Sequence, residues 1–267
     1  MSLEQLTTKL TEHFQKEDYE TCFKLLTPIK IQLIEHNLLV PNFQSKINPN
    51  DLQITMSILE IGALISINLF KMDEFSNYII QLKPFYEINE LNSRSNQKNK
   101  LLSLNLLYLL TKGDLAMFHI ELENFQNFNL NVDDLEKDEF LSIPIKFEKW
   151  IIDGDFNKVN EILSKKNNFP CKEFNIFEPG LLNSIRINIS NNIELVYKQL
   201  PIENLKILLF LNEISEVKEF IDQYGWKFEK NIVYFDKNEL KFEDNINDDR
   251  EIIKNSLIYA KEMETII

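Results

Sequence analysis

Three aspartates recur at a fixed interval, and they constrain the fold more than any other feature of this sequence. Asp73, Asp114 and Asp155 are each 41 positions apart, and each follows an apolar segment and precedes an amphipathic one. Asp is a favoured helix N-cap because its carboxylate accepts hydrogen bonds from the free N–H groups of the first turn. The sequences "LFKMD", "LTKGD" and "IIDGD" therefore each predict a helix end, a short corner and a cap.

The apolar residues that follow these aspartates mark one face of a helix in each unit. After Asp114 and Asp155 they fall at matching offsets: Leu115, Phe118 and Leu122 in one unit, and Phe156, Val159 and Leu163 in the next. After Asp73 the apolar residues are displaced by one position: Phe75, Tyr78, Ile79 and Leu82. A period of roughly 40 residues with two helices per unit is typical of a helical solenoid. Only five glycines occur in 267 residues, so few short strands are expected, and the predicted fold class is mainly α.

The corner at Asp114 is also the stretch that most resembles a chemical site. "LLYLLTKGDLAMFHIEL" places His119 near Glu121 and Glu123. Residues two apart on a helix point in different directions, so these three side chains do not converge. We therefore predict a packing corner, with a helix over residues 101–110, a return helix over residues 115–125, and His119 either hydrogen-bonded or facing solvent.

No other pattern in the sequence points to chemistry. His13 and His36 have no companion at ligand spacing, and Cys22 and Cys171 are far apart. Phosphate-binding loops, zinc-protease motifs, Cys-x-x-Cys pairs and the nucleophile-elbow motif do not occur. The sequence predicts no catalytic residue, no metal, no cofactor and no small-molecule substrate, so the protein is not expected to be an enzyme.

The apolar stretches do not predict a membrane partner. The longest, "ILEIGALISINLF" and "LLSLNLLYLL", carry Glu60 and Asn105 and are shorter than the roughly 18 apolar residues that a membrane span requires. The first residues, "MSLEQLTTKL", lack a basic segment followed by an apolar one, so no secretion signal is indicated.

The sequence changes character near residue 169. The repeat stops near Lys166, and a polar connector precedes a predicted helix over residues 176–200 and a short one over residues 202–211. "ISEVKEFIDQY" then has apolar residues on one side, and "GWKFEKNIVYF" alternates apolar and polar residues, which predicts a β-hairpin. Three helices followed by a two-stranded wing describe a winged-helix module, which we expect over residues 169–240.

A winged-helix module often places its third helix in the DNA major groove, so a nucleic-acid partner has to be weighed. The chain has a formal net charge of −13, and only three of its residues are arginines. The third helix carries Lys218 against three acidic residues, Glu216, Glu219 and Asp222. Because binding to phosphates depends on cationic side chains, this charge balance argues against nucleic acid.

The end of the chain divides into an acidic linker and a helix. Residues 241–247 lack apolar periodicity and are predicted to be a linker, whereas residues 248–267 begin with acids suited to a helix N-terminus. This helix has apolar residues on more than one side, and the candidate partner-binding residues are Ile252, Ile253, Leu257, Tyr259, Met263, Ile266 and Ile267. Two interpretations stay open from these residues: the helix folds back on its own domain, or it enters a bundle formed with other chains.

Six segments together resemble one protein family. They are "SILEIGA", "LLSLNLLYLL", "FHIELE", "DGDFNKV", "YGW" and "IYAKEMETII", in this order over nearly the whole chain. This combination is similar to the PCI-domain family of proteasome lid subunits, and within it to the family of 26S proteasome non-ATPase regulatory subunit 8 in the 19S regulatory particle.

The resemblance implies a helical-repeat region (residues 1–168) that leads into the winged-helix part of a PCI domain. Members are non-catalytic scaffolds that pack winged helices side by side and send C-terminal helices into a shared bundle, which favours the intermolecular interpretation of residues 248–267. It also implies a role in lid assembly and ubiquitin-dependent proteolysis, other lid PCI subunits as partners, with non-ATPase subunit 3 among them, and a cytoplasmic and nuclear location. A PCI subunit of the COP9 signalosome or of translation initiation factor 3 stays open as an alternative, and a winged-helix nucleic-acid binder is the more remote one.

Overall fold

The computed structural model describes residues 3–39, 49–88, 95–125, 137–164, 169–211, 213–235, 254 and 256–258. Contacts between Cα atoms divide the chain into two units, residues 1–185 and residues 186–267. The division falls within one helix, Phe174–Val196, whereas the boundary expected from the sequence, at residue 169, lies before that helix. Within the described ranges, no helix is both long enough and apolar enough to cross a membrane.

The first unit consists of helical hairpins. Its helices are α1 (Leu3–Gln15), α2 (Tyr19–Glu35), α3 (Pro49–Asn68), α4 (Met72–Tyr86), α5 (Lys98–Lys112), α6 (Leu115–Asn124), α7 (Ser142–Asp153), α8 (Phe156–Ser164) and the first part of α9 (Phe174–Val196). The two helices of each hairpin contact each other, and successive hairpins meet through α2 and α3, α4 and α5, and α5 and α7. The predicted helical repeat is confirmed, including the corner between α5 and α6.

The predicted apolar face is fully buried in α4 and partly buried in α6 and α8, where Leu115, Leu122 and Phe156 are half-buried. In α4 the buried side chains are Phe75, Tyr78, Ile79, Leu82, Phe85 and Tyr86, and in α8 they are Val159 and Leu163. Helix α5 is buried on nearly every side, because it contacts α3, α4, α6 and α7. A helix in such a central position needs apolar residues around its whole circumference, which explains the near-continuous run "LLSLNLLYLL".

One type of corner closes the four described hairpins. In each, a residue with positive φ is followed by a residue whose N–H donates to the carbonyl five positions back, and the positive-φ residues are Glu17, Phe70, Gly113 and Gly154. For example, the N–H of Asp114 donates to the carbonyl of Leu109 over 3.1 Å. This is the Schellman motif, which pairs the last carbonyls of a helix. Glycine adopts it freely, whereas Glu17 and Phe70 adopt it at a cost of about 1–2 kcal/mol each.

The predicted caps are confirmed at one of the three aspartates and wrong at another. Asp114 is the N-cap of α6, and its Oδ1 accepts from the N–H of Met117 over 3.0 Å. Asp73 lies inside the first turn of α4, and the N-cap there is Lys71, whose side chain makes no capping hydrogen bond. Asp155 directly precedes α8, and its carboxylate pairs with Lys158. The first corner therefore lies two residues earlier than Asp73 predicts, which is consistent with the displaced apolar residues of that unit.

Replacing Asp114 by alanine is expected to lower the free energy of unfolding by about 1 kcal/mol, because the N–H of Met117 loses its acceptor. The matched variant Asp73→Ala removes the same carboxylate from a first turn where it caps nothing, and we expect a loss below about 0.5 kcal/mol. Urea denaturation of the full chain followed by circular dichroism measures both. Equal losses in the two variants would contradict the assignment of the cap.

The second unit contains the winged-helix elements. After the end of α9 come β1 (Gln199–Pro201), α10 (Ile202–Leu208), α11 (Ile214–Tyr224), β2 (Lys227–Glu229) and β3 (Ile232–Tyr234). The sheet has the order β1-β3-β2, and neighbouring strands are antiparallel. Lys230 and Asn231, both with positive φ, form the turn between β2 and β3, as in two-residue hairpin turns. The predicted fold class is confirmed: helical repeats followed by a winged-helix module with a small hairpin.

Three details of the predicted module are wrong. The helix predicted over residues 176–200 ends at Val196, and the wing has three strands instead of two, because residues 199–201 form β1. The residue before a proline is disfavoured in the helical conformation, so Pro201 makes Leu200 extended. Leu200 then lies opposite Val233 in the sheet. The predicted helix over residues 202–211 is also shorter and ends at Leu208.

Candidate protein-interaction surfaces

The stretch around His119 is the packing corner between α5 and α6. The Nε2 atom of His119 lies 3.3 Å from the Oε1 atom of Glu148 in α7. Glu121 is buried and pairs with Lys83 of α4, while Glu123 is exposed. The three side chains thus point to different surroundings, as predicted, and two of them join α6 to neighbouring helices.

The two cysteines are buried or half-buried, and His13 lies near a carboxylate. Cys22 is buried, and burial raises the pKa of its thiol. Burial, together with the charge of Glu173, raises the pKa of the Cys171 thiol to about 12, so neither cysteine forms the reactive thiolate near neutral pH. The Nδ1 atom of His13 lies 3.7 Å from the Oδ2 atom of Asp18. Among the residues that the structure describes, no group of three or more His, Cys, Asp or Glu is placed to hold a metal ion.

The small sheet has two outer strands. Strands β1 and β2 both pair with β3, and in the described part of the chain neither has a second neighbour. An outer strand presents N–H and C=O groups that a strand from another chain can pair with. Each outer strand has only three residues, so a partner would add a few hydrogen bonds and would need side-chain contacts as well.

Exposed apolar side chains lie beside these strands. Leu195, Val196 and Tyr197 come just before β1, and Val196 is 69% exposed. Phe228 lies on β2 and is 37% exposed. We call β1 and the three residues Leu195, Val196 and Tyr197 before it the sheet-edge surface, whereas β2 and Phe228 lie on the opposite edge of the sheet. The helix predicted over residues 176–200 covers this segment, so the sequence does not predict the surface, although Pro201 signals that the helix ends earlier.

The charges on the winged-helix unit agree with the sequence interpretation. Glu216, Glu219 and Asp222 are exposed on α11, beside Lys218. Arg186 does not supply a free guanidinium, because its Nε donates to the carbonyl of Leu209 over 3.0 Å and its Nη2 to the carbonyl of Phe210 over 3.1 Å. Burial lowers the pKa of this guanidinium. Arg186 thus stabilises the end of α10, where two carbonyls need donors.

Only a few positions of the predicted bundle helix belong to the residues that the structure describes. Residues 254 and 256–258 are helical, and Leu257 and Ile258 are 66% and 47% exposed. The remaining candidate residues lie outside the described residues: Ile252, Ile253, Tyr259, Met263, Ile266 and Ile267. The one described member of the set, Leu257, thus presents an apolar side chain to solvent, as an anchor for another chain would.

Comparison with known proteins identifies relatives over the full chain. The chain is 40% identical to the 26S proteasome regulatory subunit RPN12 of Saccharomyces cerevisiae, covering 100% of this chain and 99% of the relative. It is 28% identical to the rpn12 regulatory subunit of Schizosaccharomyces pombe, covering 97% of each chain. It is also 28% identical to the 26S proteasome non-ATPase regulatory subunit 8 homolog A of Arabidopsis thaliana, covering 95% of this chain and 93% of the relative. The resemblance found in the sequence is confirmed.

The family comparison agrees with these relatives. Residues 96–244 match the model of the CSN8/PSMD8/EIF3K family. The match begins just before α5 and includes α5 to α11 and the three-stranded sheet. Because the matched region is more than half of the chain and a 40% identical relative covers all of it, the chain belongs to the CSN8/PSMD8/EIF3K family.

Proposed function

We propose that this protein is a non-catalytic scaffold subunit of the 26S proteasome regulatory particle, located in its lid and required for ubiquitin-dependent protein degradation. The observation that carries the proposal is the 40% identity to a proteasome regulatory subunit over the whole chain. Family membership alone leaves the sister complexes open, since the family name also includes CSN8 and EIF3K. The named relatives, which are proteasome regulatory subunits, favour the proteasome over those alternatives.

The mechanism is geometric. The helical hairpins form a helical-repeat surface, and the sheet-edge surface offers the outer strand β1 and apolar side chains to a neighbouring winged helix. Residues 248–267 add an apolar helix to a bundle of several chains, and its proposed contacts are Ile252, Ile253, Leu257, Tyr259, Met263, Ile266 and Ile267. None of these roles requires a reactive side chain, so the protein acts by holding its partners in place.

The partners are other PCI subunits of the lid, and non-ATPase subunit 3 is among them. The protein works where the assembled particle works, in the cytoplasm and the nucleus. The domain organisation that belongs to this proposal is a helical-repeat region over residues 1–168, a winged-helix part over residues 169–240, a linker over residues 241–247 and the bundle helix over residues 248–267.

Affinity purification of the tagged full-length chain, with mass spectrometry of the proteins that accompany it, tests the proposal directly. Regulatory-particle subunits are expected as the main partners, and crosslinking should join this chain to non-ATPase subunit 3. Recovery of signalosome or initiation-factor subunits in their place would overturn the assignment to the proteasome. Salt-sensitive recovery of nucleic acid without lid subunits would favour the winged-helix nucleic-acid binder.

A charged side chain introduced into the sheet-edge surface is expected to weaken the association of this protein with the other lid subunits. In the variant Val196→Asp, an exposed apolar side chain beside β1 becomes a carboxylate, which costs about 2 kcal/mol if the position is desolvated by a partner. Co-purification of lid subunits should then fall by at least about tenfold. The matched control is Ile152→Asp on α7, a similarly exposed apolar position in the first unit. Normal recovery with Val196→Asp, or equal losses in both variants, would contradict the role of this surface.

A further inference from the structure

A buried carboxylate in the middle of α3 receives hydrogen bonds from two other segments. Glu60 is 5% exposed. Its Oε1 accepts from the hydroxyl of Tyr86 over 3.0 Å and from the hydroxyl of Ser95 over 2.6 Å. Tyr86 is the last residue of α4, and Ser95 lies just before α5. One oxygen atom thus links α3, the end of α4 and the start of α5.

Ser95 extends the network into α5. Its hydroxyl oxygen accepts from the backbone N–H of Lys98, the first residue of that helix, over 3.1 Å. The side chain of Lys98 is buried, with 4% exposure, and its Nζ lies 5.9 Å from the centroid of the Tyr86 ring. We call Glu60, Tyr86, Ser95 and Lys98 the Glu60 network.

These groups are costly to bury. Burial raises the pKa of the Glu60 carboxyl and lowers the pKa of the Lys98 ammonium to about 8, which shows that the charged forms are disfavoured at this place. Well-packed apolar residues at such positions are often as stable or more stable. A role in defining how the helices pack is the other reason for which such groups are kept.

The contacts around α5 indicate that the network defines the position of this helix. Two other polar side chains at the start of α5 bond to later segments: Asn99 donates to Asp138, which precedes α7, and Lys100 pairs with Glu173, which precedes α9. Toward α3 and α4, the Glu60 network adds a polar link to apolar side chains such as Leu101, Leu102 and Leu104. Apolar contacts are not directional and allow helices to slide or turn, whereas a hydrogen bond requires a defined distance and angle. The network also lies where the family match begins, at residue 96, between the first two hairpins and the rest of the chain.

We propose that the Glu60 network fixes the start of α5 on the second hairpin and so sets the packing of the first two hairpins against the family-matching region. Glu60 is the positioning residue, because both hydroxyl donors end on it. Without it, the start of α5 keeps its links to Asp138 and Glu173 but is held on α3 and α4 by apolar contacts alone, so its first turns open more often. This inference does not depend on the identity of the partners.

Hydrogen exchange with mass spectrometry on the full chain tests the proposal. The double variant E60L/Y86F replaces the acceptor and its buried donor by apolar side chains of similar size. We expect the amides of the first two turns of α5 to exchange at least about tenfold faster, while amides of α7 and α8 keep wild-type rates. The matched control E60Q keeps an accepting oxygen, and its α5 amides should exchange within about twofold of wild type.

Two outcomes would overturn the proposal. Unchanged exchange at α5 in E60L/Y86F means that apolar packing alone fixes the helix. Equal acceleration across the first unit means that the network contributes general stability only. If the double variant does not fold, S95A decides, because it removes a single half-buried hydroxyl. Its α5 amides should exchange about threefold faster with other helices unaffected, and wild-type rates at α5 in S95A overturn the proposal as well.

Discussion

A chain that ends at Asn247 is expected to fold as the full chain does, yet to recover at least about tenfold less of the other regulatory-particle subunits on affinity purification. Truncation removes the proposed bundle helix, whose described apolar residues, Leu257 and Ile258, are largely exposed. The core of the described hairpins is therefore left intact. A fully buried aliphatic anchor contributes about 1.5–3 kcal/mol, and each 1.4 kcal/mol corresponds to about a tenfold change in affinity, so the loss of several anchors is a large effect.

A point variant separates anchoring from folding. Leu257→Asp changes one exposed side chain and should reduce co-purification in the same direction, with an unchanged melting temperature. Wild-type recovery of lid subunits by the truncated chain would refute the anchor role. If the truncated chain instead melts at a clearly lower temperature, the helix folds back on its own domain, which is the other interpretation that the sequence allows.

Replacing Gly62 by valine is expected to lower the free energy of unfolding by about 3 kcal/mol. A Cβ atom at this position would lie 2.7 Å from Cε1 and 2.9 Å from Cζ of Tyr78. Tyr78 is 1% exposed, and the Nζ of Lys30 lies 3.8 Å from its ring centroid, so the ring cannot move aside without disturbing α2. Glycine inside a helix is normally unfavourable, and here it allows α3 and α4 to approach closely.

A double-mutant cycle tests this cause. Chemical denaturation of Gly62→Val, Tyr78→Leu and the double variant gives the three free energies of unfolding. If the clash is responsible, the smaller leucine relieves it, and the double variant loses about 1–2 kcal/mol less than the sum of the single variants. Additive losses would show that the substitution at Gly62 acts through something other than the Tyr78 ring.

The hairpins could be predicted because their signals are local. Apolar residues three and four apart, a Gly-Asp corner and a central run that is apolar on every side each reflect interactions within about one helix or with whatever packs beside it. The corner at Gly113-Asp114 shows this well, since glycine supplies the positive φ and aspartate supplies the capping oxygen. At Phe70-Lys71 the same backbone geometry occurs without a glycine or an aspartate. The sequence therefore predicts the cap at Asp73, although the N-cap is Lys71.

The sequence predicts that the protein binds other proteins, but it predicts only some of the residues that form the candidate interaction surfaces. The acidic third helix and the apolar last helix indicated a protein partner, and the six family-like segments indicated which class of complex. The sheet-edge surface was missed because β1 is defined by its pairing with β3, and Gln199 and Tyr234 are far apart along the chain.

The mainly helical class, the order of hairpins and wing, and the family thus follow from patterns in the sequence. The third strand, the close approach at Gly62 and the hydrogen bonds from Tyr86 and Ser95 to Glu60 emerge only from the folded chain. Helix periodicity and capping depend on residues within a few positions of one another, so a single sequence displays them. Strand pairing and buried hydrogen bonds depend on which distant residues the fold brings within about 3 Å, and no local pattern encodes that choice.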